Sequence, residues 1–235
     1  MFYFNFQYLY VILPALLLTL YAQSKVSSTF RKYSSVRNAY GLTGAETAQR
    51  LLTAAGINDV RIERVRGNLT DHYDPSKKVL RLSDSVYDST SLSAVGVAAH
   101  ETGHAVQHAM GYAPLALRSA MVPLTNLGSN LAWPLILLGL LFGSQAGSDF
   151  GYLLVQAGIL LFSLAVVFSI VTLPVEFNAS SRAVAMLGDF GILSQSELGP
   201  VKKVLSAAAM TYVASAAMAV AQLLRLVLLF GRRDD

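Results

Sequence analysis

The sequence predicts an α-helical membrane protein with about four transmembrane helices and one small α+β domain outside the bilayer. Three observations carry that prediction. Of 235 residues, 54% are hydrophobic and only 14% charged, where an ordinary soluble domain has about 25% charged residues. Charges are absent from residues 1–24, 119–148, 150–175 and 204–224, and each block is long enough for the roughly 20 apolar residues that a membrane-crossing helix needs. The polar stretch between the first two blocks, by contrast, mixes helix-like and strand-like patterns. This composition excludes disorder, a collagen-like or solenoid array, and a DNA-binding domain. The net charge of +4 and the pI near 9.3 do not restore a nucleic-acid partner. Twelve of the 18 Lys and Arg lie between Lys25 and Arg118, mixed with acids, a bias that membrane orientation explains. There is no cysteine, so any metal must be held by His, Asp or Glu.

Residues 1–22 form the first predicted span, from Phe2 to Tyr21, interrupted by Asn5, Gln7 and Pro14. A removable signal peptide would carry a basic stretch ahead of the apolar run. None is present, which favours a retained anchor. Lys25, Arg31, Lys32 and Arg37 follow closely, and the positive-inside rule then assigns residues 23–118 to the cytoplasm. Within this region Thr43 and Glu46 make a capping box, Ala48, Leu51, Leu52 and Ala55 continue at helical spacing, and Gly56 ends the helix. Val60, Ile62 and Val65 read as a strand. Leu69–Tyr73, the turn Asp74-Pro75-Ser76 and Val79–Leu82 read as two more strands and their connection. Ser89, Thr90 and Ser91 are N-cap candidates for a helix from about Leu92 to Met110, stopped by Gly111 and Pro114.

Residues 119–175 read as a transmembrane hairpin, with one span within Val122–Phe142 and the next over Tyr152–Leu173, where Gln156 is the strongly polar residue. The turn Gly143–Gly151 faces outside. Residues 176–203, with Arg182, Lys202 and Lys203, return to the cytoplasm, and Pro174 suits the start of a helix ending near Gly188. Residues 204–235 hold the fourth span, about Leu205–Leu224, whose small residues suit close helix packing. Arg225 snorkels to its interface. A full crossing puts Arg232 and Arg233 outside, against the charge bias.

The helix after Ser91 contains His100-Glu101-Thr102-Gly103-His104, an H-E-x-x-H pattern. Two His four apart share a helix face and can reach one zinc ion, while Glu101 is placed to take a proton from a metal-bound water. Zinc lowers the pKa of that water and polarises the carbonyl it attacks. Without a metal, three such groups are costly in an apolar helix. A third ligand is needed. His108 lies one further turn along the same helix, too far to close a tetrahedral site with His100, and suits the rim or support of a ligand instead. Glu176 is the stronger candidate, because two membrane crossings return the chain to the side it left. Its alternative reading is a carboxylate stabilising a helix N-terminus.

Asp71-His72-Tyr73-Asp74-Pro75, Val79-Leu80-Arg81-Leu82-Ser83, the run Ala98–His108 and Pro174-Val175-Glu176-Phe177-Asn178-Ala179-Ser180 together resemble the YugP-type neutral zinc metallopeptidases of bacterial membranes. A more distant resemblance is to the membrane heat-shock and prenyl-protein zinc peptidases, gluzincins whose third ligand is a Glu on a later helix. The resemblance implies a zincin-like cytoplasmic domain, one catalytic Zn2+, ligands His100, His104 and Glu176, and Glu101 as general base. In those relatives an Asp four residues after the Glu supports a His ligand. This chain has Ser180 there, and Asn178 or Ser180 takes that part. The implied protein is a multi-pass metalloendopeptidase of the bacterial plasma membrane, its active site cytoplasmic, its partners the bilayer and protein or peptide substrates. Val79–Ser83 could be an edge strand that pairs with extended substrate. His72 is a surface or turn histidine, or takes a transition-state role. Two other readings stand beside this one: a site-2-type intramembrane protease, or an inactive zinc-binding membrane scaffold.

Overall fold

The computed structural model describes residues 9–143 and 149–230. The beginning of the first apolar segment with Asn5 and Gln7, the middle of the turn after Gly143, and Arg232 and Arg233 lie outside the described residues. The described elements run α1 (Leu9–Ser34), α2 (Gly44–Ala54), β1 (Arg61–Val65), β2 (His72–Asp74), β3 (Val79–Ser83), α3 (Leu92–Ala109), α4 (Ala113–Gly143), α5 (Asp149–Asp189) and α6 (Gln195–Phe230). Four of them, α1, α4, α5 and α6, are long and apolar enough to cross a membrane. The chain divides into two compact units.

One unit comprises Met1–Tyr21, Leu117–Leu173 and Tyr212–Asp235. Within it α4 and α5 approach closely because glycines line the contact. A Cβ on Gly158 would fall 2.8 Å from the Ala132 carbonyl oxygen, and one on Gly128 would fall 2.9 Å from that of Leu161. Small residues permit such close backbone contact. Ile136, Val155, Ile159 and Leu226 form this unit's core. Gln156, the polar residue of the third apolar segment, donates its Nε2 to the Phe230 carbonyl at 2.8 Å, so it is satisfied within the unit. Many outward residues, Leu141, Leu153 and Leu160 among them, are apolar and exposed.

The other unit comprises Ala22–Ala116 and Pro174–Thr211. The capping box starts α2: the Thr43 hydroxyl accepts the Glu46 N–H at 3.1 Å, and Glu46 Oε2 accepts the Thr43 N–H at 2.8 Å. Ala48, Leu51 and Leu52 on one face are fully buried. They pack with Leu80, Leu82, Val95, Leu187 and Val201 in a shared core. Ser91 caps α3, its side chain accepting the Ala94 N–H. The Phe30 carbonyl of α1 accepts from Ser93 Oγ at 2.9 Å, tying the start of α3 to α1. Helix α3 is buried along most of its length and packs against α2, β2 and β3.

The sheet has the order β1-β3-β2, with β3 parallel to β1 and antiparallel to β2. Val79–Ser83 is therefore not an edge strand. It is paired on both sides and cannot receive a substrate strand. Its one charged residue, Arg81, is accommodated between its neighbours. Arg81 stands in register with Glu63 on β1 and His72 on β2, and its guanidinium meets Glu63 Oε2 at 3.2 Å and His72 Nε2 at 3.2 Å. This polar ladder across three strands gives a central strand the pattern of an exposed one.

Two helix limits also differ from expectation. Helix α1 continues past Tyr21 to Ser34, through Lys25, Arg31 and Lys32. No helix starts at Pro174; α5 runs through it from Asp149 to Asp189. A proline costs an interior helix one hydrogen bond and a local clash, and here packing on the following turns offsets that cost, with Val175, Ala179 and Ala183 fully buried.

Candidate metal centre

Helix α3 carries His100 and His104 on one face, as their spacing of four requires. Their ring centroids are 4.8 Å apart and nearly perpendicular, at 83°. Helix α5 supplies Glu176, 2% exposed. Its Oε2 lies 3.2 Å from His100 Nε2 and 3.6 Å from His104 Nε2, and one donor atom from each residue falls within 4.8 Å of the others. Zinc bonds of about 2.0–2.1 Å to nitrogen and oxygen imply ligand separations of about 3.3 Å in a tetrahedron. The two measured separations bracket that length. Two imidazoles, one carboxylate and an open fourth position is also a donor set of catalytic zinc. On both counts the residues fit the ion.

The close approach of α3 and α5 comes from Gly103 inside the H-E-x-x-H pattern. A Cβ at Gly103 would stand 2.6 Å from the Ala179 carbonyl oxygen, so any side chain there would push α5 away. Ala179 lies between Glu176 and Ser180, and the contact delivers both to the histidines. Ser180 Oγ is 3.1 Å from His100 Nδ1. His104 Nδ1 is 3.0 Å from Gln107 Oε1. Gln107 Nε2 donates to the Val175 carbonyl at 2.8 Å and to Asn178 Oδ1 at 3.0 Å. Each imidazole is thus engaged through Nδ1 and presents Nε2 to Glu176.

Burial disfavours a charged His104, but the Glu176 carboxylate outweighs it, and with Glu101 and Gln107 raises the His104 pKa above the ordinary histidine value. The cluster favours positive charge at its centre. Glu101 is 8% exposed and has no hydrogen-bond partner among the described residues.

The remaining predicted residues fall into place unevenly. Ser180 and Asn178 are both at the site, Ser180 against His100 and Asn178 against Gln107. His108 is exposed and meets the Tyr73 hydroxyl at 2.8 Å through Nδ1. Burial, with Asp59 and Asp74 nearby, pushes the Tyr73 phenol up to about 12, so it stays protonated at neutral pH. His72 is exposed, meeting the Thr70 carbonyl at 2.9 Å and Arg81. Neither His108 nor His72 joins the three-residue donor cluster. Gln107 and Gly103 were not singled out from sequence. A Gln three residues after a candidate ligand, on the same face of an otherwise apolar helix, is the signal that would have found the first.

Among the described residues, six helices with a three-stranded sheet, and a His-His-Glu cluster shared by two helices, define a helical protein with a metal-competent centre. Over residues 8–231 the chain matches the family described as "Putative neutral zinc metallopeptidase", and it belongs to that family. It is similar to the "Putative membrane protease YugP" of Bacillus subtilis (strain 168), at 49% identity over 229 residues, which cover 97% of this chain and 99% of that protein. No solved structure matches.

Proposed function

We propose that the chain is a membrane-anchored zinc metalloendopeptidase of the bacterial plasma membrane, cutting membrane or membrane-proximal proteins with Glu101 as general base. The observation that carries this reading is the convergence of His100, His104 and Glu176 within 4.8 Å, with the Glu101 carboxylate close enough to act on His104. Bound there by those three residues, zinc supplies Lewis acidity toward a peptide carbonyl and lowers the pKa of a coordinated water. Glu101 accepts the proton of the attacking water and returns it to the leaving amine. Ser180 and Gln107 hold the imidazoles in the orientation that presents Nε2.

The family membership and the name of the Bacillus relative support proteolysis at a membrane. The four apolar helices support anchoring. In this reading residues 1–22, 119–175 and 204–235 are membrane segments, and residues 23–118 and 176–203 carry the site on the cytoplasmic side, as the charge distribution favours. A site-2-type intramembrane reading has less support: α3, bearing both histidines, is not among the helices apolar enough to cross and packs against α2 and the sheet. A scaffold that kept zinc for structure alone would have no use for Glu101.

Purified protein is expected to hold one zinc per chain. Glu101→Gln should retain that zinc and lose proteolysis, and Glu176→Ala should lose both. Retained activity in Glu101→Gln, or full zinc content in Glu176→Ala, would overturn the assignment. The absence of native cysteine makes the topology testable as well. A single cysteine at exposed Asn58 should react with a membrane-impermeant thiol reagent only after cells are permeabilised; reaction in intact cells would place the site outside.

A further inference from the structure

Gln107 is fully buried, and each of its contacts has only one possible polarity. A backbone carbonyl can only accept, so Val175 O, 2.8 Å away, requires the amide nitrogen of Gln107 to face α5. The amide oxygen must then face His104 Nδ1 at 3.0 Å. That oxygen can only accept, so Nδ1 must carry the imidazole proton. Nε2 of His104 is then the nitrogen that faces Glu176, and once it gives up any proton it holds, its lone pair is the one a metal ligand requires. The chain of obligations continues outward. Arg182 Nε, an obligate donor, lies 2.7 Å from Asn178 Oδ1, which orients the Asn178 amide so that the same oxygen also accepts from Gln107 at 3.0 Å. His100 has no equivalent control, because the Ser180 hydroxyl at its Nδ1 can donate or accept.

We propose that Gln107, itself oriented by Arg182 through Asn178, is the positioning residue that sets the tautomer of His104 and locks α3 to α5 next to Glu176. One side chain thereby aligns metal donors on two helices. The inference rests on the metal-site reading above and adds the residues that make that site ready for a cation before one arrives. With the Nδ1 proton fixed, Nε2 of His104 and the Glu176 carboxylate face one point, which a proton or a bound cation occupies.

The test uses the full chain, with zinc affinity measured by chelator competition and the cobalt(II)-substituted protein read by visible absorption. Partners that orient a ligating histidine typically contribute about 10–100-fold to metal affinity, and Gln107→Leu is expected to lose that much and to change the cobalt spectrum. Gln107→Asn, a methylene shorter and still polar, cannot span from His104 to Val175 and should show the same loss; it decides the question alone if the Leu variant fails to fold. Gln107→Glu separates positioning from simple helix clamping. Its carboxylate still accepts from Nδ1 but cannot donate to Val175 O, so affinity should recover above that of Gln107→Leu. The proposal is overturned if the Asn variant binds zinc as the parent does, or if Gln107→Glu rescues nothing. These failures differ from that of the metal site itself, which would appear as a parent protein without stoichiometric zinc.

Discussion

Replacing Gly103 by Ala tests whether the approach of α3 to α5 sets the donor geometry. The added Cβ would stand 2.6 Å from the Ala179 carbonyl oxygen, where ordinary contact begins near 3.4 Å, a shortfall of about 0.8 Å. Backbone, not a flexible side-chain end, is the obstacle, so α5 itself must move. Glu176 travels with it. Its separations from His100 and His104, now 3.2 and 3.6 Å, would widen toward about 4 Å, beyond the roughly 3.3 Å edge of a zinc tetrahedron. Overpacking of this kind costs about 1–3 kcal/mol. At about 1.4 kcal/mol per factor of ten, zinc affinity should fall roughly 5- to 150-fold if the strain is released by withdrawing Glu176. Fold stability should respond differently, since Gly→Ala within a helix gains about 0.5–1 kcal/mol of propensity and offsets part of the clash. Gly96→Ala serves as the control. Its Cβ would meet a Val201 methyl at 3.0 Å, a side-chain end that can rotate, and its zinc affinity should stay near that of the parent. Chelator competition on the two variants, with thermal melts of the metal-free forms, measures both quantities. Parent-like zinc affinity in Gly103→Ala would refute the claim that this contact positions Glu176.

Three further outcomes are expected. The raised pKa of His104 gives stability to the metal-free fold that is fully present below the ordinary histidine value and is lost as pH rises through the folded value. Melts of chelator-treated protein should therefore decline across that rise, whereas zinc affinity increases over the same range, because the proton no longer competes; a metal-free stability that climbed with pH there would contradict the sign. Gln156→Leu removes the hydrogen bond to the Phe230 carbonyl and should destabilise the detergent-solubilised protein by about 0.6 kcal/mol and no more than about 1.7, as read by denaturant unfolding. His108→Ala, which breaks the contact with Tyr73, should leave zinc stoichiometry and affinity unchanged, and a loss of zinc would bring His108 into the donor set.

What could be read from the sequence divides along the range of the interactions involved. The capping box of Thr43 and Glu46 and the pairing of His100 with His104 are both settled within one or two helical turns, so spacing alone identifies them. Glu176 lies 76 residues from His100, and the parity of two apolar segments in between, with the family resemblance, made it a candidate. Pro174 misled because a proline suits a first helical turn, and the local pattern does not show that buried Val175, Ala179 and Ala183 carry the helix onward. The position of β3 was hidden by Arg81. A central strand buried on both sides normally reads as an unbroken apolar run, but Arg81 is matched by Glu63 and His72 on its two neighbours, and no local pattern reveals a partner on another strand. Gln107 shows the same limit at the site itself. Its meaning depends on one carbonyl, that of Val175, 68 residues away. The two histidines of the proposed donor set were therefore legible by type and spacing, whereas the residues proposed to fix proton positions and helix separation acquire those roles only where α3 meets α5. It follows that exchanging Gly103 or Gln107 should disturb the site as surely as exchanging a ligand, although neither offers an atom to the metal.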